Sequence, residues 1–348
     1  MLNPSSSGCD PLAKCRRTSL KVRSESHSGL DVLRLSYSRF DPKLPSEMTF
    51  YLTPAIVFQA MDNAISDWGP VTTSNISVLY ARQDALTDPG VHSALYDDLP
   101  VDPSALREVV SQLITHVSWA ARYGIPPNTA MSRDTKPVAE RLKLIQSIYA
   151  GSLSAQRPPD KRTFGTCRDY SLMMCSMLRH RSIPARVRCG FATYFNWGPY
   201  EDHWICEYWS SEKTRWVRVD AQLDQLHRDQ LAIKFNCADL PSGAFLSAGR
   251  AWTLARSGAA ATSDFGHGDA NGLWFLRVNL NRDLLSLTNQ QMSAWDTWRD
   301  ATGPGKTVSD AEASDGDQLA DAIDTLERAA DDQLWELAAR RQVPPRRC

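Results

Sequence analysis

The sequence predicts an α+β fold, and three observations predict it. Residues 166–181 carry apolar side chains at helical spacing. Residues 185–195 alternate, with Ala185, Val187, Cys189 and Phe191 on one side and charged or small residues on the other, which is the period of a strand. Residues 203–209 and 215–220 are rich in β-branched and aromatic types and are separated by a short polar turn, so they read as an antiparallel hairpin. The expected architecture is one helix packed on an antiparallel sheet, with further helices flanking it.

The helix comes first. Phe164-Gly165-Thr166 is a turn-like lead-in, and Tyr170, Met173, Met174, Met177 and Leu178 form the buried stripe. Thr166 reads as the N-cap, with Asp169 three residues on in a capping-box pattern. Arg179, His180 and Arg181 suit the negative end of the helix dipole, and Pro184 follows. Cys167 therefore stands in the first turn. The open amides and the positive dipole end there favour a thiolate and are suited to hold a developing oxyanion. On the helix alone an inert core cysteine is the more common reading, since most cysteines are inert core residues.

The hairpin supplies partners. A four-residue loop at Ser210-Ser211-Glu212-Lys213 would set Trp209 opposite Thr214 and His203 opposite Asp220. Opposed residues share a face, with Cβ atoms roughly 4.5–5.5 Å apart. A slip of one residue would separate them. A cysteine attacks as its thiolate, so a base must take its proton, and a carboxylate on the far ring nitrogen orients that base. Singly, His203 reads as a satisfied strand residue and Asp220 as a turn former; together with Cys167 they read as a catalytic set.

The stretch resembles the core of the transglutaminase-like superfamily of papain-like cysteine enzymes. The matching residues are Gly165-Thr166-Cys167-Arg168-Asp169-Tyr170, Leu178-Arg179, Ile183-Pro184-Ala185-Arg186-Val187, Gly190-Phe191, Asp202-His203, Glu207-Tyr208 and Trp216-Val217-Arg218-Val219-Asp220. The resemblance implies a papain-like fold, with Cys167 as nucleophile, His203 as base and acid, and Asp220 as orienting carboxylate. It departs in two places: Arg168 follows the cysteine where the animal cross-linking enzymes have tryptophan, and Trp204 follows the histidine at once. It implies a thioester acyl-enzyme made from a peptide or protein substrate and resolved by water or by an amine acceptor. A hydrolase (peptidase or amidase), an amide-forming acyltransferase and an idle binding module are the three readings. An intact set of three argues against the last. The chemistry needs no cofactor and no metal.

Composition narrows the setting. The chain has 348 residues, 42% of them hydrophobic and 23% charged, which is globular. Lys plus Arg is 39 and Asp plus Glu is 40, a balance that suggests no nucleic-acid or membrane partner. The eight cysteines show neither disulfide nor zinc spacing, so a reducing, cytoplasmic setting is expected.

The remaining elements follow in order. Residues 1–28 are Ser- and Arg-rich and read as a disordered tail, and 30–40 alternate like a strand. Helices are expected over 54–66, over 103–123 capped by Asp102, and over 137–150. A catalytic domain is expected over 29–300, with its core at about 105–225. Residues 242–257 look helical. Gly266-His267-Gly268 reads as a turn rather than part of a pocket. Thr288 and Gln291 look like the cap of a helix carrying Met292, Trp295 and Trp298. Gly303-Pro304-Gly305-Lys306-Thr307 resembles the end of a phosphate loop, but Asp300 stands where its first glycine belongs. A linker over 301–316 and an amphipathic helix over 317–341, docked on the domain, complete the expectation.

Overall fold

The computed structural model describes the backbone of residues 20–27, 30–37 and 48–50, and residues 79–127, 129–289 and 307–328. The chain divides into two compact units, Met1–Pro70 and Val71–Cys348. In the first, strands β1 (Leu20–His27), β2 (Leu30–Tyr37) and β3 (Met48–Phe50) form an antiparallel sheet in that order. The expected strand over 30–40 is β2. The expected disorder of residues 1–28 is corrected over 20–27, which pair with β2 from Leu20–Tyr37 to His27–Leu30. Backbone pairing does not need an apolar composition, so the composition concealed it. The helix expected at 54–66 lies outside the described residues.

In the second unit a 3₁₀ segment, Gly90–Tyr96, precedes α1 (Pro103–Ser111), where Asp102 accepts from the Ala105 N–H and Pro103 takes the first position. The single helix expected over 103–123 is corrected here. The chain leaves α1 at Gln112, forms β4 (Ile114–His116), and then a 3₁₀ segment, Val117–Tyr123, closed by Gly124 at φ 76°. Leu106, Val110, Leu113 and Ile114 are all buried, so the apolar stripe holds although the helix does not. The element that wins is β5 (Thr163–Gly165), which pairs in parallel with β4 and sets His116 beside Gly165. The lead-in expected as a turn at 164–166 is thus partly strand. Between them lies α2 (Val138–Ile148), within the expected 137–150.

Next come α3 (Cys167–His180), β6 (Ala185–Ala192), β7 (Tyr200–Ser210), β8 (Arg215–Val219), α4 (Gln225–Gln230), β9 (Phe245–Ser247) and α5 (Ala248–Arg256). The helix expected over 242–257 therefore begins later, after a short strand. After α5 come β10 (Phe265–His267), β11 (Ala270–Asn271), α6 (Leu273–Leu287) and α7 (Asp310–Arg328). The main sheet runs β11-β10-β7-β6-β9, with β8 also on β7. Its centre is antiparallel as expected, but β10 lies parallel to the start of β7.

Thr288 is the C-cap of α6, its N–H bonded to the Leu284 carbonyl, so the helix start expected there is corrected. Met292, Trp295, Trp298 and Gly303–Lys306 lie outside the described residues. The expected linker is helical from Asp310 onward. Ser309 caps that helix: its hydroxyl accepts from the Glu312 N–H, and the Glu312 carboxylate accepts from the Ser309 N–H. The expected helix thus starts earlier than 317, and residues 329–341 lie outside the description. It docks as expected through Leu319 and Ile323, both fully buried.

Two packing clusters hold the sheet. Val187, Cys189, Trp204 and Cys206 meet the methionines of α3, while Phe191 and Phe265 meet α5, α6 and α7. Successive strand residues alternate faces, so Arg188 points away from Val187, and it pairs with Asp283 of α6 at 2.9 Å. Glu207 on β7 accepts from Arg186, Arg188 and Arg218 at 2.8, 2.9 and 3.0 Å. A buried carboxylate is tolerable only with such pairing. No helix among the described residues is long and apolar enough to cross a membrane.

Candidate active site

Cys167 is the first residue of α3, with Thr166 as its N-cap. The Asp169 carboxylate accepts from the Thr166 N–H at 2.7 Å and from the Arg141 guanidinium of α2 at 2.5 Å. The capping box read from the sequence is present, and a buried arginine invisible to local pattern fixes it. This clamp sets where the helix starts, and so where the thiol stands.

His203 and Asp220 come together, though not by the expected register. Ser210 pairs with Arg215, Trp209 with Trp216 and Cys206 with Val219. The hairpin is displaced by two residues from expectation, so Asp220 follows the end of β8 and lies diagonally from His203. An even displacement keeps both side chains on one face, because strand side chains alternate with period two. His203 Nε2 is 2.9 Å from Asp220 Oδ2. The same oxygen accepts from the Tyr194 hydroxyl at 2.6 Å, and Asp220 Oδ1 accepts from the Gln222 N–H at 2.9 Å. Nδ1 is left for the cysteine, and Cys167 and His203 line the same cleft, each shifting the other's proton affinity.

The electrostatics follow from burial. His203 and Asp220 are buried, while Cys167 is partly exposed. Burial alone would lower the His203 imidazole. The Asp220 charge outweighs it, with hydrogen bonds to Asp220 and Cys167, and the pKa is pushed up to about 10. Burial would raise Asp220, yet His203, Tyr194 and Gln222 hold it below the ordinary carboxylate value. Burial pushes the Cys167 thiol up, opposed by its hydrogen bonds to His203 and to the Trp204 backbone. The sequence pointed to a thiol shifted downward by its helix terminus; the net direction here is upward, because desolvation of the charged sulfur is the largest contribution.

Cys167 and His203 face a cleft lined also by His116, Trp119, Phe195, Trp197, Glu201 and His267, while Asp220 stands behind His203, outside the lining. His267 is therefore a cleft residue, a correction to the turn reading. It arrives through the pairing of β10 with β7, and its Nδ1 lies 2.5 Å from Glu201 Oε1. Trp197 stacks on its ring, with centroids 5.5 Å apart and planes 15° apart. Trp204 also reaches the cleft, with the Arg168 guanidinium 4.3 Å from its ring centre. The two residues that depart from the family pattern are thus packed against each other. Among the described residues no group of His, Cys, Asp and Glu is arranged to hold a metal ion.

Residues 130–221 match the family model described as Transglutaminase-like superfamily. That stretch is similar to a transglutaminase-like core. The matched span covers α2, β5, α3, the β6–β8 meander and Asp220, so it includes all three residues of the set. No curated protein matches the chain. Among solved structures it is similar to a candidate cysteine protease from Cytophaga hutchinsonii, 13% identical with a TM-score of 0.31, over 66% of this chain and 68% of that one. It is also similar to the transglutaminase of red sea bream, 13% identical with a TM-score of 0.32, over 66% of this chain and 47% of that one. The chain spans less than half the length of the sea bream protein it matches.

The described cysteines Cys175, Cys189, Cys206 and Cys237 are free and buried, as their place in apolar patterns suggested. Tyr194, Glu201, His267 and Arg141 were not read as site residues. Each joins the site through contacts between elements distant in sequence, and none carries a local signature.

Proposed function

We propose that the protein is a cysteine hydrolase that cleaves a peptide or isopeptide amide through a thioester acyl-enzyme. The observation that carries this reading is His203, bonded to Asp220 at 2.9 Å, facing the same cleft as Cys167 at the head of a helix. In the first step the Cys167 proton passes to His203 and an S–C bond forms at the substrate carbonyl. The amides of the first turn of α3 face the developing oxyanion, where donors fixed in advance stabilise it most. His203 then gives its proton to the leaving nitrogen as the C–N bond breaks, leaving a thioester. In the second step His203 takes a proton from the acceptor. A new bond forms at the carbonyl, the S–C bond breaks, and the proton returns to sulfur.

Water is the acceptor this reading favours, because the cleft is open at Trp197, which is 50% exposed. Asp220 keeps the imidazole oriented and balances its charge. The substrate in this reading is a protein or peptide, which supplies the amide that Cys167 attacks.

The test is the rate of alkylation at each cysteine, mapped by peptide mass, beside the His203→Ala variant. Cys167 should label much faster than Cys175 or Cys189, and the variant should lose that advantage. Equal rates at all three in folded protein would overturn the reading. A competing primary amine then separates the acceptors: hydrolysis predicts free acid as the main product, and amide formation predicts capture.

A further inference from the structure

Four aromatic side chains line the cleft, and three of them are already occupied. Trp119 is 4% exposed, with its ring 4.1 Å from that of His227 and the Arg122 guanidinium 4.4 Å from its centre. Phe195 is 8% exposed and lies edge-on to His203 at 4.9 Å. Trp204 is 1% exposed and carries Arg168. Trp197 differs, being 50% exposed at the mouth of the same cleft. One of its faces is stacked on His267, and half of the residue remains exposed.

That stacking is braced from behind. Glu201 is buried on β7, and it holds the His267 ring, which in turn holds the indole. Glu201 stands two residues before His203 on the same strand, so the two point to the same face. The brace and the catalytic base therefore share one rigid element. A tryptophan left half in water at a cleft mouth with its ring fixed is prepared to bind a second ring. Ordering costs for the protein side have been met in folding, and planar rings gain from offset or edge contact beyond their buried area.

We infer that Trp197, braced by His267 and Glu201, is a substrate-binding subsite that takes an aromatic side chain flanking the amide attacked by Cys167. The inference deepens the reading of Cys167 as nucleophile and rests on it only for where the ring sits relative to the bond attacked. An aromatic residue is the occupant that the site fits. The exposed surface is an indole at the mouth of an aromatic-lined cleft, and of the charged groups lining that cleft Glu201 and His267 are paired to each other, Asp202 accepts from Asn279, and Arg133 is not without a partner.

The experiment reads binding without turnover. N-acetyl-phenylalaninamide and N-acetyl-alaninamide are titrated by saturation-transfer NMR into the full chain, into Trp197→Ala and Trp197→Phe, and into Cys167→Ser. The phenyl compound should bind more tightly than the alanyl one, and Trp197→Ala should weaken it by about 3- to 10-fold, the size of one ring contact. Trp197→Phe should keep most of the preference, and Cys167→Ser should keep all of it. No preference for the phenyl ring, or a preference untouched by Trp197→Ala, overturns the subsite. Because Cys167→Ser is compared on binding alone, a subsite that binds in a protein whose Cys167 proves unreactive leaves this inference standing while the hydrolase reading falls.

Discussion

The Arg168 guanidinium lies 4.3 Å from the centre of the Trp204 ring, joining the residue after the cysteine to the residue after the histidine. Both side chains are 1% exposed. A desolvated cation over an indole is worth about 2 kcal/mol or more. Arg168→Ala should lower unfolding stability by at least about that amount, measured by urea denaturation. Arg168→Lys should recover only part of it, since an ammonium lacks the flat face that stacks. Full recovery by lysine would mean that charge alone matters.

Tyr194 donates to the oxygen of Asp220 that also meets His203. That donation is one of the causes holding the Asp220 carboxyl down. Tyr194→Phe should therefore raise the proton affinity of Asp220 and move the acidic limb of the activity profile to higher pH. Turnover of an activated peptide ester across pH measures the shift, and an unmoved limb would remove Tyr194 from the set.

Burial pushes the Cys167 thiol up, and His203 itself is pushed up to about 10. The reactive form, one proton short of the fully protonated pair, thus gathers as the solution becomes alkaline. Iodoacetamide labelling of Cys167 should still be climbing between about pH 7 and 9, above the ordinary thiol onset. His203→Ala removes a hydrogen bond that lowers the thiol, so its curve should lie further to the alkaline side. A plateau reached below neutrality would contradict this balance.

Glu207 is held below the ordinary carboxylate range: burial alone would raise it, but Arg188, Arg186 and Arg218 more than offset that. A depressed carboxyl stabilises the fold above its unfolded value of about 4.3 and loses that contribution as pH falls toward its folded value. Acid denaturation should start below about pH 4, and Glu207→Gln should flatten that limb. At neutral pH the variant leaves buried arginines facing an amide, which costs about 3–5 kcal/mol by urea unfolding.

Gly190 pairs with His203 on one side and Ser247 on the other. A Cβ there would come within 2.1 Å of the Leu246 carbonyl oxygen. Gly190→Ala should cost about 1–3 kcal/mol as β9 is pushed outward. Thermal unfolding checks the cost, and a matching loss of ester turnover checks that the strip beside His203 moved.

What the sequence made legible was local or strongly periodic. The start of α3 at Cys167 came from a cap and a stripe within one helix. The face shared by His203 and Asp220 survived an error of two residues in register because strand periodicity is two. Short strands were not legible: β4 and β10 span three residues each, too few to show a period. His267 looked like a turn residue because glycine flanks it on both sides, and its place in the cleft depends on Glu201, 66 residues earlier. The burial that raises the Cys167 thiol is likewise a property of the assembled core, with no trace in the order of residues around it.

The three side chains of the candidate triad all come from the stretch between Cys167 and Asp220, and the bond joining its last two members closes over only 17 residues. Short closures are entropically inexpensive and form early. The reactive geometry is thus a near-neighbour property of one helix and one meander. The later helices, α5 to α7, arrive as a buttress on ground already laid out. Damage to that buttress should loosen the whole protein before it disturbs the spacing of sulfur, imidazole and carboxylate.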